Sequence, residues 1–246
     1  ISVSASYVGA FGRNLAAPVD NNYPVPGPGA TTANVNARRP YQPGVIGAAN
    51  VLSSIFASDY NGVQLSAERR GTHISGKAYY SFGRAYEDVD FQGAGLPTVQ
   101  NATQLAAERG RTSADRRHSF VFSGIWKIDY LKDSKSALAT LAQDWTLSAI
   151  ITLQTGTPLT ITAGSDRNLD GPTNDRANLV GDPELDHGRP QGELIEGWFN
   201  TAAFARLPNF TPRTNPWQYD GLTNPGLFNL DMSIVKRVPV TERLRG

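Results

Sequence analysis

The stretch Asp166-Arg167-Asn168-Leu169-Asp170-Gly171 carries residue types that hold a hard cation. Oxygen-bearing side chains at alternate positions converge on calcium, and a glycine at the sixth position permits the sharp turn. Asn174 and Asp175 lie where later ligands would fall, with Asp182 beyond them. The twelfth position is Ala177, so the bidentate glutamate of an EF-hand is absent. The expected metal set is Asp166, Asn168, Asp170, Asn174 and Asp175, with a structural calcium as its ion. The competing reading is a solvated loop held by Asx-turns.

Catalytic chemistry finds no comparable pattern. His73, His118 and His187 are the only histidines, fall in three separate stretches, and lack the spacing of a zinc pair. There is no cysteine and no G-x-S-x-G elbow. The chain is therefore expected not to be an enzyme and to need no other cofactor. The cluster Glu108, Arg109, Arg111, Asp115, Arg116 and Arg117 has two readings, an anion-binding mouth or a set of rim ion pairs. Trp198, Phe199 and Phe204 likewise fit either ligand contact or a packed loop. A net charge of +1, with Lys and Arg scattered, gives no footprint for nucleic acid.

The elements that would carry these residues are strands. No window approaches the apolar length of a spanning helix, so membrane insertion would have to use β-strands. Period-two alternation recurs in six segments of about ten residues, the length a tilted strand needs to cross a bilayer. They are 1–9, 60–70, 74–86, 119–130, 145–154 and 228–238, with a seventh expected after Pro239. Gly71, Thr72 and His73 form a tight turn between the second and third. If Thr72 and His73 are its central pair, Glu68 stands opposite Lys77.

The connections alternate in length. Residues 10–59, 87–118 and 164–227 are long, while 71–73 and 239–241 are short and 131–144 intermediate. In an antiparallel meander this puts every long loop at one end, as outer-membrane barrels do. The predicted fold class is all-β: an antiparallel meander forming a partial transmembrane β-barrel, with long extracellular loops and short periplasmic turns. Tyr130 and Trp145 would mark the periplasmic rim of the apolar face, and Tyr86 the outer rim. Arg84 falls on that apolar face and is tolerable only near the outer interface. Val121, Ile125 and Val235 interrupt the polar face, where an internal plug would pack against them.

Seven stretches, in order, resemble the Oar-like barrel of TonB-dependent outer-membrane receptors of the carboxypeptidase regulatory-like type. They are Arg38-Arg39-Pro40-Tyr41; Tyr60-Asn61-Gly62-Val63-Gln64-Leu65 with Glu68-Arg69-Arg70; and Ala107-Glu108-Arg109-Gly110 with Asp115-Arg116-Arg117-His118. Further on come Thr152-Leu153-Gln154-Thr155-Gly156-Thr157-Pro158, Asn178-Leu179-Val180-Gly181-Asp182-Pro183, Trp198-Phe199-Asn200-Thr201-Ala202-Ala203-Phe204, and Asn229-Leu230-Asp231-Met232-Ser233 with Lys236. The resemblance implies a Gram-negative outer-membrane barrel of about 22 strands, filled by a plug and driven by the inner-membrane TonB complex. Residues 1–246 would then be the later part of that barrel, with the plug, the amino-terminal domain and the first barrel half elsewhere. Both ends of the sequence are expected to be cut, since it opens mid-pattern at Ile1 and stops soon after Thr241.

Transport of a scarce extracellular ligand is the function this resemblance implies, with outer-membrane lipid and the TonB complex as partners. Two alternatives stay open. One is an outer-membrane adhesion or surface-organising barrel; the other is a soluble β-sandwich that binds glycans.

Overall fold

A computed structural model describes the chain except for residues 92–98, 100, 132–135, 137–140, 174, 212–217 and 238–246. Six antiparallel strands follow one another in a meander: β1 (Ser2–Asp20), β2 (Asn50–Arg69), β3 (Ile74–Glu87), β5 (His118–Ile128), β6 (Trp145–Gln154) and β9 (Leu227–Lys236). The two-residue β4 (Gly110–Arg111) adds to the end of β3, and β7 (Asn178–Leu179) pairs with β8 (Phe204–Ala205) inside the last long loop. Among the described residues no helix is long and apolar enough to cross a membrane. The strand expected after Pro239, and Val238 before it, lie outside the described residues.

All six expected strands are present in the expected order, and β6 has the bounds its alternation gave. β1 and β2 are about twice as long as their alternating stretches, pairing on to Asp20 and Asn50. The register shifts on both sides of Leu15, and Asn14 has a positive φ of 55°, so the period-two pattern breaks while the ladder continues. Past that irregularity Ala17, Val19, Phe56 and Val89 form a small buried core, with Leu15, Phe91 and Leu105 packed on it. The extension therefore stands on burial within the protein.

Opposed residues share a face, so the register builds horizontal rows across the sheet. One row runs Val3, Ala67, Ala78, Phe122, Ile151 and Leu230; the next, Ala5, Leu65, Tyr80, Phe120, Leu153 and Phe228. On the other face the matching row is Ser4, Ser66, Tyr79, Val121, Thr152 and Asn229. The eleven residues of β5, tilted as barrel strands are, rise about 25 Å, the height of an outer-membrane apolar band. Among the described residues no second sheet covers the apolar face: Val3 is 74% and Phe228 66% exposed. A sandwich would bury those side chains, so the soluble alternative fails.

The band has the expected rims. At the short-turn end Trp145 lies under the Lys236 ammonium, 4.9 Å from its ring centre, and Trp126 Nε1 donates to the Tyr130 hydroxyl at 3.0 Å. At the other end the apolar rows finish at Tyr7, Val63 and Phe82. Arg84 stands in the next row, opposite Asn61, exposed beside the Phe82 ring. With Tyr86 and Phe11 one row farther out, Arg84 lies near the outer interface, where the cost of a mid-bilayer charge does not arise.

The β2–β3 hairpin pairs Glu68 with Lys77, as the turn geometry required. The carboxylate of Glu68 nevertheless pairs with Arg70. Nearer the loops Gly62 opposes Gly83, and the Tyr60 ring lies against both: a Cβ on either glycine would meet the Tyr60 hydroxyl within 3 Å.

Candidate functional site

The three long connections, 21–49, 88–117 and 155–226, leave the sheet at the same end. They are joined to one another by polar contacts that are largely out of water. Arg176 of the last loop pairs with Glu108 of the middle one at 2.8 Å, each side chain 1% exposed. Arg111 Nη1 donates to the Asp220 carbonyl at 3.0 Å, and the Tyr86 hydroxyl donates to the Asp220 carboxylate. Toward the first loop, the Tyr23 hydroxyl donates to Asp170 Oδ2 at 3.0 Å, and Arg38 donates to the Leu169 carbonyl.

Each loop is also braced internally. Arg39 binds Asp20 and the Asn22 carbonyl, both at 2.6 Å, and the Asn22 amide donates to the Gly47 carbonyl at 2.8 Å. Arg111 pairs with Asp115 at 2.7 Å, both side chains 2% exposed. Arg109 bridges Asp59 and Asp88, and Arg117 reaches Asp115 at 3.7 Å. The charged cluster of residues 108–117 is therefore a set of ion pairs rather than an open anion-binding mouth. Arg109 and Arg116 are the exposed members, and Arg116 donates to the Thr155 carbonyl.

The root of the last loop closes on itself. Asn224 N donates to the Thr157 carbonyl at 2.7 Å, Leu159 N to the Leu222 carbonyl at 3.1 Å, and Pro158 bridges Thr223. A Cβ at Gly156 would sit 1.6 Å from the Asn224 carbonyl oxygen, so only glycine allows the two backbones this close. Farther out Phe204 packs edge-on between Phe199 and Tyr219, while Trp198 stacks on His187 with ring centres 4.3 Å apart. The aromatic stretch is thus a packed loop core. The Trp198 indole donates to the Thr223 carbonyl.

Of the five residues expected to hold a cation, Asp166, Asn168, Asp170 and Asp175 come together in one buried loop, each 9% exposed or less. Asn174 lies outside the described residues. Asp166 accepts from Asp170 N at 3.1 Å and Gly171 N at 2.8 Å, and Asn168 Oδ1 also accepts from Asp170 N. Asp175 Oδ2 accepts from Arg167 N and Asn168 N. Asn168 Nδ2 donates to Asp170 Oδ2 and to the Tyr23 oxygen. Among the described residues no three acid, histidine or cysteine side chains stand as a ready metal cluster. Burial pushes the Asp170 carboxyl up to about 6, with Asp175 and Asp166 adding to it, and burial beside Asp170 also raises the Tyr23 phenol.

Tyr23, Arg176 and Asp220 are central to the joined loops, and no sequence pattern pointed to them. Each is an isolated polar residue whose partner lies in another loop. Three of the stretches quoted for the family resemblance, Arg38-Arg39, Glu108-Arg109 and Thr155-Gly156-Thr157-Pro158, do mark joints, since all three hold loop to loop or loop to itself.

A lipid-facing apolar surface, a polar opposite surface and loops gathered at one end define a piece of an outer-membrane β-barrel. The chain matches, over residues 1–246, the family model described as an outer membrane beta barrel domain, and it belongs to that family. Its place is the outer membrane, in contact with that membrane's lipid. No curated protein and no solved structure matches it.

Proposed function

We propose that this chain forms part of the wall and mouth of a TonB-dependent transporter that captures a scarce extracellular ligand and passes it across the outer membrane. The observation that carries the reading is the joining of all three long loops through buried pairs such as Arg176 with Glu108. Loops fixed to one another make a vestibule of constant shape above a polar lumenal face, which suits selective capture. The seven ordered stretches that resemble Oar-like receptors support the same assignment. The TonB complex would act through a plug, and catalysis has no step in this scheme.

The test is uptake in cells. Deleting the gene is expected to abolish accumulation of one nutrient class, and disabling TonB in the parent strain is expected to do the same. Accumulation that survives TonB loss would sink the proposal.

A second reading, adhesion or surface organisation, draws on a different observation. Tyr41, Val45, Val180 and Ile195 are large apolar side chains of the loops that remain more than half exposed. Such residues suit contact with a macromolecule. A deletion strain that takes up all nutrients normally yet loses cell-to-cell or surface attachment would favour it.

A further inference from the structure

The oxygen Asp170 Oδ1 is buried and has no hydrogen-bond donor, although Asp170 as a whole is 94% buried on the 6% exposure it retains. Its sister Oδ2 takes both donors in reach, Tyr23 and Asn168. Neither Asp166 nor Asp170 has a Lys or Arg ion-pair partner among the described residues. Buried carboxylates without paired cations demand a counter-charge, and an orphaned acceptor demands a donor or a metal. One residue upstream of Asp166, the Ser165 hydroxyl is also buried without a partner.

The surrounding oxygens are hard and lie in one short loop. Both carboxylate oxygens of Asp166, and Asn168 Oδ1, accept backbone N–H groups yet keep a second lone pair each. Two carboxylates and an amide oxygen amount to a weak set of the kind found in extracellular calcium modules, with dissociation constants of about 10⁻⁴–10⁻³ M.

We propose that Asp170, Asp166 and Asn168 bind calcium, and that the ion locks their loop to the 21–49 loop through Tyr23 and Arg38. The site needs no plug, ligand or TonB, so it stands or falls apart from the uptake proposal.

The experiment is limited proteolysis of the purified protein in detergent micelles near neutral pH, with cleavage sites mapped by mass spectrometry. The probes are calcium alone, magnesium alone and a chelator. Calcium at ten times its dissociation constant is expected to slow cleavage within 21–49 and 155–226 about tenfold, magnesium much less. Asp170→Asn is expected to abolish the calcium effect while cleavage in chelator is no faster than in the parent, because an uncharged side chain removes the buried charge that lacks a cation. Should Asp170→Asn lose the heat-resistant gel mobility of a folded barrel, Asn168→Ala replaces it, with a calcium requirement raised about tenfold. Asp182→Asn, outside the site, is expected to behave like the parent. Equal cleavage with calcium and chelator would overturn the proposal. So would full calcium protection in a folded Asp170→Asn or Asn168→Ala protein, or equal protection by magnesium.

Discussion

Ile151 in the middle of the lipid-facing rows and Arg176 in the joined loops are both ordered, by opposite means. Ile151 belongs to a ladder in which every backbone group is paired by its neighbours, and its side chain is left for lipid. Arg176 is 1% exposed and is held by side chains from a different loop, with Glu108 its partner. The strand wall depends on a repeated pattern and tolerates local change on its polar face. The joined loops depend on single pairs, so one substitution can open them while leaving the wall intact.

The largest expected effect is on the loops. Glu108→Ala leaves the Arg176 charge buried and should destabilise the joined state by about 3–5 kcal/mol. Hydrogen exchange is expected to rise across 88–117 and 155–226 while β5 and β6 stay protected. Loss of protection in the strands as well would erase the distinction between the two regions. In the wall, Ile151→Lys should cost about 2–4 kcal/mol in a bilayer-folding titration, whereas Thr152→Lys on the opposite face should cost little. Equal penalties would show that the two faces do not meet different solvents.

Smaller effects sharpen the boundary between the regions. Gly156→Ala forces apart the backbones at the loop root and should cost about 1–3 kcal/mol, read as faster proteolysis near residues 156 and 224. Lys77→Glu sets like charges across the β2–β3 hairpin, with an expected loss of up to about 1 kcal/mol in the same folding titration. The pH response should fall on the loops. Asp170 has a folded-state pKa of about 6, above its ordinary value of 3.8, so the folded loop favours the protonated form. That contribution is present below about pH 4 and lost as pH rises through 6. In chelator, proteolysis of 155–226 is expected to be slower at pH 5 than at pH 7, and unchanged proteolysis would dissociate Asp170 from loop stability.

Strand positions were legible because alternation is a local property: side chains two apart meet the same solvent, whether lipid or lumen. Hence β6 and the Glu68–Lys77 pairing followed from residue order alone, as did the gathering of long loops at one end. The outer halves of β1 and β2 were not legible. Around Asn14 and Leu15 the ladder is irregular, and beyond it Ala17, Val19 and Phe56 are buried by the 88–117 loop, so no two-solvent alternation is required there. The cation motif was visible as spacing, yet its orphaned oxygen was not.

Sequence by itself determined that this chain makes strands of bilayer length with one apolar face, because that pattern repeats every second residue. Tertiary structure alone decided which charges of the loops meet. Glu108 with Arg176, Tyr23 with Asp170 and Arg111 with Asp220 are separated by 68, 147 and 109 residues. No short-range periodicity links such distances; only the shared end of an antiparallel meander brings them within reach.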